Sequence, residues 1–311
     1  METQAKILSL LNIKQNKQVE LEKLIYGSIE IRKKNNNKYI YTHVRINGIK
    51  KSKYIGEYSD ELYNLILNNN VKAKELKKEI KKIEKELKEL NYIDQELTYE
   101  VSNNIDFAKK NLANTIYKQA ILEGVATTLS DTENIIEGGK VNNMSSDDIL
   151  KIVNLKHAWE FVLNKNVILS KTDYSILCMI NKLVEEGFYY NAGMLRSVSV
   201  DIGGTTWKPS LPIESDIKDD INNIVNSSSN DVDKAIELLL YVVKKQMFID
   251  GNKRTSVIFA NHYLISKGKG MIVIPAEKVN KYKKLLIDYY ETDNDKKIFD
   301  FLKKECYLDI K

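Results

Sequence analysis

Residues 246–257, QMFIDGNKRTSV, place an acid, a glycine, an amide and two cations at five consecutive positions. The segment before them has the apolar spacing of a helix, and the segment after them, VIFANHYLI, is apolar nearly all round, as in a buried helix. A glycine-containing loop that leads into a helix presents free backbone N–H groups and the positive end of the helix dipole. The stretch therefore predicts either a phosphate-binding loop or a capped helix start whose cations are solvated.

The individual residues of this loop suit a nucleotide with several phosphates. Gly251 would let the backbone approach a phosphate closely, and Lys253 and Arg254 would donate charge-assisted hydrogen bonds to its oxygens. Asp250 is placed to hold a magnesium ion that bridges two phosphates. On these residues alone the loop would bind a nucleoside di- or triphosphate.

The residues around the loop predict a helical domain from about residue 100. Several segments have helical apolar spacing with Asp or Ser near the start and Gly at the end: KHAWEFVL, TDYSILCMINKLVEEG, DVDKAIELLLYVVKKQ and AEKVNKYKKLLIDYYE. RSVSVDIGGTTWKPSLP, residues 196–212, instead alternates into a Gly-Gly turn and predicts a short β-hairpin. The fold class is thus mainly α, with a helical domain over 100–300 and a C-terminal tail over 301–311.

The first 95 residues predict a separate accessory module. Residues 28–56 alternate apolar and polar side chains between the turn signals Asn35–Asn37 and Asn47-Gly48, which predicts a small antiparallel β-meander. The meander has eight basic residues, one acid and interleaved tyrosines. Its strands could bind DNA or RNA, or they could form a solvated face whose lysines discourage edge pairing.

A coiled-coil-like helix is predicted over residues 71–90. Its apolar residues alternate at spacings of four and three: Leu76, Ile80, Ile83, Leu87 and Leu90. The seam covers about two heptads, so we expect it to pack against another helix of the same chain, such as residues 17–26.

Composition favours a cytoplasmic protein that does not enter a membrane. The two cysteines are far apart in sequence and have no CxxC motif, which argues against a zinc site or a disulfide framework. The longest apolar run, AIELLLYVV, is too short for a bilayer, and the N-terminus lacks the pattern of a secretory signal. The net charge of +5 on 311 residues means that any attraction to nucleic acid must come from a local cluster.

The loop resembles the signature of the Fic family, H-P-F-x-[D/E]-G-N-[G/K]-R-x-x-R. Its matching residues are Phe248, Asp250, Gly251, Asn252, Lys253 and Arg254. Two further blocks resemble the same family in the same order. AGMLRSVSVDIGGTTWKP is similar to the segment that leads into the target-positioning flap, and AILEGVATTLSDTE is similar to the S-x-x-x-E-G inhibitory helix.

This resemblance implies a Fic-type helical bundle that uses ATP, or another nucleoside triphosphate, and Mg²⁺. Members mostly transfer AMP, and in some branches other phosphate-containing groups, to a protein hydroxyl. A protein with a Ser, Thr or Tyr acceptor would therefore be the partner. The sequence leaves open whether the chain also forms a homo-oligomer.

The resemblance also implies roles for single residues. Phe248 would anchor the loop, Asp250 would hold the metal, Gly251 and Asn252 would form the phosphate cradle, and Arg254 would neutralise charge during transfer. The implied inhibitory residues are Glu123 and Gly124.

Four positions depart from the family pattern. Gln246 replaces the histidine that accepts the proton, and an amide cannot be a general base. Val257 replaces a second arginine, and Gln119 replaces the Ser or Thr of the inhibitory motif. Lys253 resembles the Doc branch, which transfers phosphate.

Two readings of the function follow from these departures. The leading one is a transferase with an atypical or weakened proton-transfer step. The alternative is a catalytically inactive nucleotide sensor or scaffold, associated with nucleic acid through residues 28–56. The three histidines, His43, His157 and His262, are expected to be structural rather than substitutes for the base.

Overall fold

The computed structural model describes residues 2–35, 37–46, 49–92, 96–142 and 144–310. Its helices there are α1 (Glu2–Lys23), α2 (Asp60–Glu89), α3 (Tyr99–Lys110), α4 (Leu112–Leu122), α5 (Leu129–Ile136), α6 (Ser146–Val162), α7 (Lys165–Ile168), α8 (Tyr174–Val184), α9 (Glu214–Asn226), α10 (Asp231–Lys245), α11 (Asn252–Ser266), α12 (Val279–Thr292) and α13 (Lys296–Phe301). The strands are β1 (Ser28–Lys34), β2 (Asn37–Ile46), β3 (Ile49–Glu57), β4 (Met271–Ile272) and β5 (Tyr307–Leu308).

The chain divides into two compact units. The N-terminal unit comprises residues 9–93, and the helical unit comprises residues 1–8 together with 94–311. The module boundary expected near residue 95 falls among residues 93–95, which lie outside the described residues. Each unit is described below by itself.

In the N-terminal unit, three antiparallel strands form a sheet in the order β1-β2-β3. The predicted meander is therefore confirmed, although Asn36, Asn47 and Gly48 of its turns lie outside the described residues. Alternation places Ile40 and Thr42 on a buried face, while Tyr39 and Tyr41 lie on the other face.

Helix α2 buries four of the five predicted seam residues, and the fifth, Leu90, is half-buried and caps the end of the helix. Its buried residues are Ile66, Ala73, Leu76, Ile80, Ile83 and Leu87. Three ion pairs join it to α1: Lys14 with Glu84 at 3.0 Å, Lys17 with Glu79, and Glu20 with Lys72 at 2.6 Å. The partner numbers fall along α2 as they rise along α1, so the two helices are antiparallel.

The helical unit is built around α11. This helix is buried on nearly all sides because its residues are apolar nearly all round, and it contacts α10, α8, α6 and α3. The fold is mainly α, as the sequence predicts. Residues 302–308, within the segment assigned to a C-terminal tail, form a short π-helical turn and then β5, which pairs with β4.

The β-hairpin predicted over residues 196–212 is wrong in one respect. The segment is an extended loop with a turn near Gly203 and Gly204, and it has no paired strands. The carbonyl groups of Val198 and Ser210 accept hydrogen bonds from the guanidinium group of Arg196, at 2.8 and 2.6 Å. One side chain thus bridges the two arms where a strand ladder was expected.

No helix within the described residues is both long and apolar enough to cross a membrane.

Candidate active site

The loop begins where α10 ends. Gln246 caps α10 in the left-handed conformation, with φ 46° and ψ 59°, which turns the chain back toward the core. Met247 and Phe248 are then buried, as expected for an anchor. The side-chain oxygen of Asn252 accepts a hydrogen bond from Phe248 N–H, and its amide donates to the Phe248 carbonyl, at 3.0 and 2.9 Å. Asn252 therefore fixes the shape of the loop with both ends of its amide.

Gly251 is required by the geometry of the helix start. Its φ is +75°, and a Cβ atom there would lie 2.3 Å from Oε1 of Glu185. Thr255 N–H donates to the Gly251 carbonyl at 2.8 Å as the first bond of α11. The N–H groups of Asn252, Lys253 and Arg254 therefore have no partner within the helix, and they mark the positive end of its dipole.

Arg254 lies at the centre of the charged groups. Its side chain is 2% exposed, and Nη2 lies 2.7 Å from Oε1 of Glu185, in an orientation that does not make a hydrogen bond. Oε2 of Glu123 lies 3.7 Å from Nε, and Oδ2 of Asp250 lies 3.8 Å from Nη2. The Nε and Nη1 groups have no hydrogen-bond partner among the described residues. Two donors of this buried guanidinium group are thus left unsatisfied by the described residues.

Glu185 is a site residue that the sequence did not predict. It is 2% exposed and follows α8, where its carboxylate contacts both Arg254 and the space beside Gly251. Its pKa is raised to about 7: burial is the largest cause, the charge of Arg254 opposes it, and the charges of Asp250 and Glu123 add to it. The segment LVEEGF gives no indication of which of its two glutamates is buried.

Asn181 is the second residue that the sequence did not single out. Its side-chain amide donates to the carbonyl of Asp250 at 3.0 Å and to the hydroxyl of Thr255 at 3.1 Å. Its oxygen accepts from Gly193 N–H at 2.9 Å. One buried amide on α8 therefore holds the loop, α11 and the segment before the extended loop together.

Glu123 lies next to the loop, at the end of α4. Its Oε2 is 3.8 Å from Nζ of Lys253 and 3.7 Å from Nε of Arg254, and its Oε1 is buried without a hydrogen-bond partner. Gly124 follows with φ +81° and ends the helix in the left-handed turn that favours glycine. The two residues assigned to the inhibitory motif thus place a carboxylate beside both cations of the loop.

Both ends of the Gln119 side-chain amide make buried hydrogen bonds. Its amide donates to the Arg254 carbonyl at 2.9 Å, and its oxygen accepts from the indole N–H of Trp159 at 2.9 Å. These bonds tie α4 to the first turn of α11. Val257 is buried on the same side, so the position of the expected second arginine is apolar in this chain.

Asp250 is the most exposed carboxylate of the group, with 53% of its side chain exposed. Its Oδ1 accepts a hydrogen bond from Gly251 N–H at 2.6 Å. The described residues contain no cluster of three or more metal-binding side chains. A single carboxylate still suits Mg²⁺, because this ion keeps several waters and takes other ligands from substrate phosphates.

A cleft of about 350 Å³ opens beside the loop, a size suitable for a small ligand. The loop contributes Gln246, Asp250, Asn252 and Lys253 to its walls. Residues 200–203 of the extended loop and the side of α12 with Lys283 and Tyr290 complete them. Four of the predicted site residues therefore line this cleft, whereas the other five do not: Phe248, Gly251, Arg254, Glu123 and Gly124.

Gln246 carries no group in this cleft that could take a proton. Its amide N–H groups donate to the Val243 carbonyl at 2.8 Å and to the Tyr290 hydroxyl at 3.1 Å. His262 is buried between the Thr172 hydroxyl and the Val167 carbonyl, and burial lowers its pKa to about 4. No histidine lines the cleft among the described residues, since His157 is on α6 and His43 is in the N-terminal unit.

The extended loop is held against the site by Arg196 and Trp207. Arg196 Nε donates to the Gln246 carbonyl at 2.6 Å, and its backbone N–H donates to the Met247 carbonyl at 3.0 Å. Trp207 stacks on Tyr290, with ring centroids 5.2 Å apart and planes at 3°. These contacts depend on residues 50 to 83 positions away, so the sequence pattern alone gave no signal for them.

Comparisons with known proteins agree with this architecture. Residues 171–264 match the model of the Fic/DOC family. The structure is similar to Fic-1 (residues 134–508) from C. elegans, at 16% identity and a TM-score of 0.53, covering 78% of this chain and 79% of that one. It is also similar to a Fic domain containing signaling protein from Bacteroides thetaiotaomicron, at 20% identity and a TM-score of 0.52, covering 67% and 85%.

A Fic family protein from Desulfovibrio desulfuricans is similar at 15% identity and a TM-score of 0.51, covering 67% of this chain and 72% of that one. No curated protein matches the sequence. At these identities the solved structures show the fold alone, while the family model matches the segment that contains the loop. The helical unit of this chain therefore contains a Fic/DOC family domain, built around residues 171–264.

Proposed function

We propose that the cleft binds a nucleoside triphosphate with Mg²⁺ and transfers AMP, or another phosphate-containing group, to a hydroxyl of a protein target. The observation that carries the proposal is Arg254, whose buried Nε and Nη1 groups lack a hydrogen-bond partner. It lies at the positive end of α11, one turn from the exposed carboxylate of Asp250. Unpaired buried donors next to free helix N–H groups suit phosphate oxygens.

The residues of the chain would share the work of transfer. The N–H groups at the start of α11 and the Arg254 guanidinium would bind the phosphates and stabilise the negative charge that develops on them. Asp250 would hold Mg²⁺, which supplies further charge neutralisation when bound. Residues 200–203 would position the target segment along the open side of the cleft, next to Gln246.

No histidine among the described residues lines the cleft to receive the proton of the attacking hydroxyl. The Gln246 oxygen could accept a hydrogen bond from that hydroxyl, which would orient it, but a neutral amide cannot keep the proton. We therefore expect slow transfer. The same observation favours the alternative function, a nucleotide sensor or scaffold without catalysis.

Glu123 would regulate access to the phosphates. Its carboxylate lies 3.8 Å from Lys253 and 3.7 Å from Arg254, so it competes with a phosphate for the same cations. Lys253 fills part of the cleft wall where a glycine would leave room. Its side chain would therefore influence which phosphate of the nucleotide faces the target.

Calorimetric titration with ATP tests the site, with Mg²⁺ present or removed by EDTA. We expect saturable binding that Mg²⁺ strengthens, tighter binding by Glu123→Gln, and loss of the Mg²⁺ effect in Asp250→Asn. Asp106→Asn is the matched control, because Asp106 is an exposed acid on α3 outside the cleft. Absence of ATP, GTP and CTP binding by both the parent and Glu123→Gln would contradict the proposal.

A further inference from the structure

A larger cleft, of about 690 Å³, lies in the N-terminal unit between α2 and the sheet. One wall is a row of four α2 lysines, Lys74, Lys77, Lys78 and Lys81, and the other includes Arg45 and His43 of β2. We call this cleft the lysine groove. None of its described lining residues carries a carboxylate.

The four lysines are placed at a cost to the helix. Lys77 and Lys78 are adjacent, and each stands three or four residues from Lys74 and from Lys81. The four therefore share one side of α2, and like charges at spacings of three and four repel. Other lysines of the unit have carboxylate partners, as Lys14 has in Glu84 and Lys72 has in Glu20. No carboxylate among the described residues pairs with any of the four. A bound polyanion would relieve their repulsion.

The frame of the groove is fixed in place before any ligand arrives. The side chain of Asn70 accepts a hydrogen bond from Gly27 N–H at 2.7 Å and donates to the Gly27 carbonyl at 3.0 Å. A Cβ atom on Gly27 would lie 2.6 Å from the His43 carbonyl oxygen. The chain between α1 and β1 is therefore pinned to both α2 and β2, which bound the groove.

An aromatic surface lies on the exposed face of the sheet, next to His43 and Arg45. Cross-strand register pairs Tyr41 with Tyr54, and alternation along β2 puts Tyr41 on the same face as His43 and Arg45. The rings of Tyr39 and Tyr41 lie 6.2 and 5.4 Å from that of Tyr54, which is 52% exposed. Exposed tyrosines on a basic sheet can stack on unpaired bases.

Glu30, the acid of this face next to His43, is already neutralised, while a second acid, Glu57, lies opposite Tyr39. Glu30 accepts hydrogen bonds from Arg32 at 2.8 and 3.0 Å, and its Oε2 lies 2.6 Å from Nε2 of His43. The guanidinium group of Arg32 also lies over the ring of Tyr41, at 4.3 Å. The part of this face next to His43 is therefore basic and aromatic, with the carboxylate of Glu30 engaged.

We propose that the N-terminal unit binds single-stranded nucleic acid, with phosphates in the lysine groove and bases stacked on the tyrosine face. An acidic peptide would pair with the lysines but would make no stacking contact with the tyrosines. The bases of a duplex are stacked on each other, so they could not stack on the tyrosine rings. The site thus extends beyond strands 28–56 and has its main cationic wall on α2.

Fluorescence anisotropy of the full chain tests this proposal, with labelled 20-mers of oligo-dT and oligo-U, a 20-base-pair duplex, and a salt series. If the four lysines and Arg45 each contact one phosphate, a plot of the logarithm of the association constant against the logarithm of the salt concentration should have a slope of about −3.5. The reason is that a single strand releases about 0.7 counterions per phosphate contact. Single-strand affinity would then fall about 100-fold between 50 and 200 mM salt.

The variant Lys74→Gln/Lys78→Gln/Lys81→Gln should reduce that fall to about sevenfold, because about two contacts remain. Its matched control, with the same charge change on another part of α2, is Lys82→Gln/Lys85→Gln/Lys88→Gln, which should behave like the parent. Circular dichroism checks that α2 stays helical in both. Equal loss in the two variants would overturn the groove assignment.

The tyrosine face has its own test. Tyr54→Ala should weaken single-strand binding about tenfold, and Tyr54→Phe should retain it, because a phenyl ring still stacks. Duplex binding as tight as single-strand binding, or no effect of Tyr54→Ala, would overturn the proposed mode. Binding of labelled oligo-glutamate without any nucleic-acid binding would identify an acidic peptide as the partner instead and overturn the proposal.

Discussion

Replacing Gln246 by histidine should turn the cleft into a much faster transferase. The position suits histidine, because Gln246 has φ 46°, a conformation in which histidine is enriched among non-glycine residues. A ring N–H could donate to the Val243 carbonyl in place of the Gln246 amide, which now does so at 2.8 Å. That bond would fix the tautomer and leave the other ring nitrogen free to accept a proton.

The size of the effect follows from what the parent already has. Arg254, the free N–H groups of α11 and Asp250 are in place, so positioning and charge stabilisation do not change. The substitution adds general-base catalysis alone, worth about 10²–10⁴-fold in rate, or about 3–5 kcal/mol. The matched control is Gln246→Asn, because asparagine also accommodates the left-handed conformation but cannot take a proton.

The assay needs no known target. ATP with Mg²⁺ is incubated with each protein, and the release of AMP or ADP is followed by chromatography, with water as acceptor. Label from α- or γ-³²P-ATP on the protein itself reports self-modification and shows which group moves. We expect Gln246→His to exceed both the parent and Gln246→Asn by two orders of magnitude or more.

Equal turnover by the three proteins, at equal ATP affinity, would refute the reasoning. It would mean that proton transfer does not limit the reaction at this site. The non-catalytic reading would then be the better account of the cleft.

Three further perturbations follow from the packing around the site. Gly251→Ala should cost about 2 kcal/mol or more in the free energy of unfolding, because its Cβ would meet Glu185 at 2.3 Å; Gly124→Ala, with a similar φ but open space, should cost only about 1 kcal/mol in the same urea titration. An equal cost would contradict the clash. Burial lowers the pKa of His262 to about 4, against 6.5 in the unfolded chain, so the unfolded state binds the proton first as the pH falls. The free energy of unfolding should therefore decrease by about 3 kcal/mol between pH 6.5 and pH 4. His262→Gln should lack that part of the pH dependence, and a parallel pH profile would exclude the assignment. Arg196→Lys should loosen residues 197–208 and speed chymotryptic cleavage after Trp207, because a lysine cannot span the carbonyls of Gln246, Val198 and Ser210; unchanged cleavage would show that other contacts hold the loop.

Short-range patterns predicted the helices and the loop, because their causes lie within a few residues. The glycine with φ +75° and the acid, amide and cations around it are adjacent in sequence, so their meeting at the start of α11 required only the helix boundary. The meander and the α2 seam followed from periods of two and about 3.5 in the same way.

The rest of the site comes from distant parts of the chain. Glu185 and Asn181 reach the loop from α8, and Arg196 reaches it from the extended loop. The hairpin prediction failed for this reason, since alternation in residues 198–202 does not reveal that a guanidinium group will take up the carbonyls. Glu123 was predicted only through the resemblance, because nothing in its local sequence indicates that α4 ends beside α11.

The unpaired charged groups next to the loop indicate that the cleft binds a ligand, even though Gln246 cannot act as a base. Each buried polar group without a partner costs about 1–3 kcal/mol, and Arg254 Nε, Arg254 Nη1 and Glu123 Oε1 are three such groups in one place. A loop retained only to start a helix would gain stability by replacing them with apolar side chains. An anion with several oxygens would satisfy the Arg254 donors and displace Glu123 from the cations. The phosphates of a nucleotide would therefore offset the free energy that these unpaired groups cost the folded protein. This holds whether or not a proton is transferred afterwards.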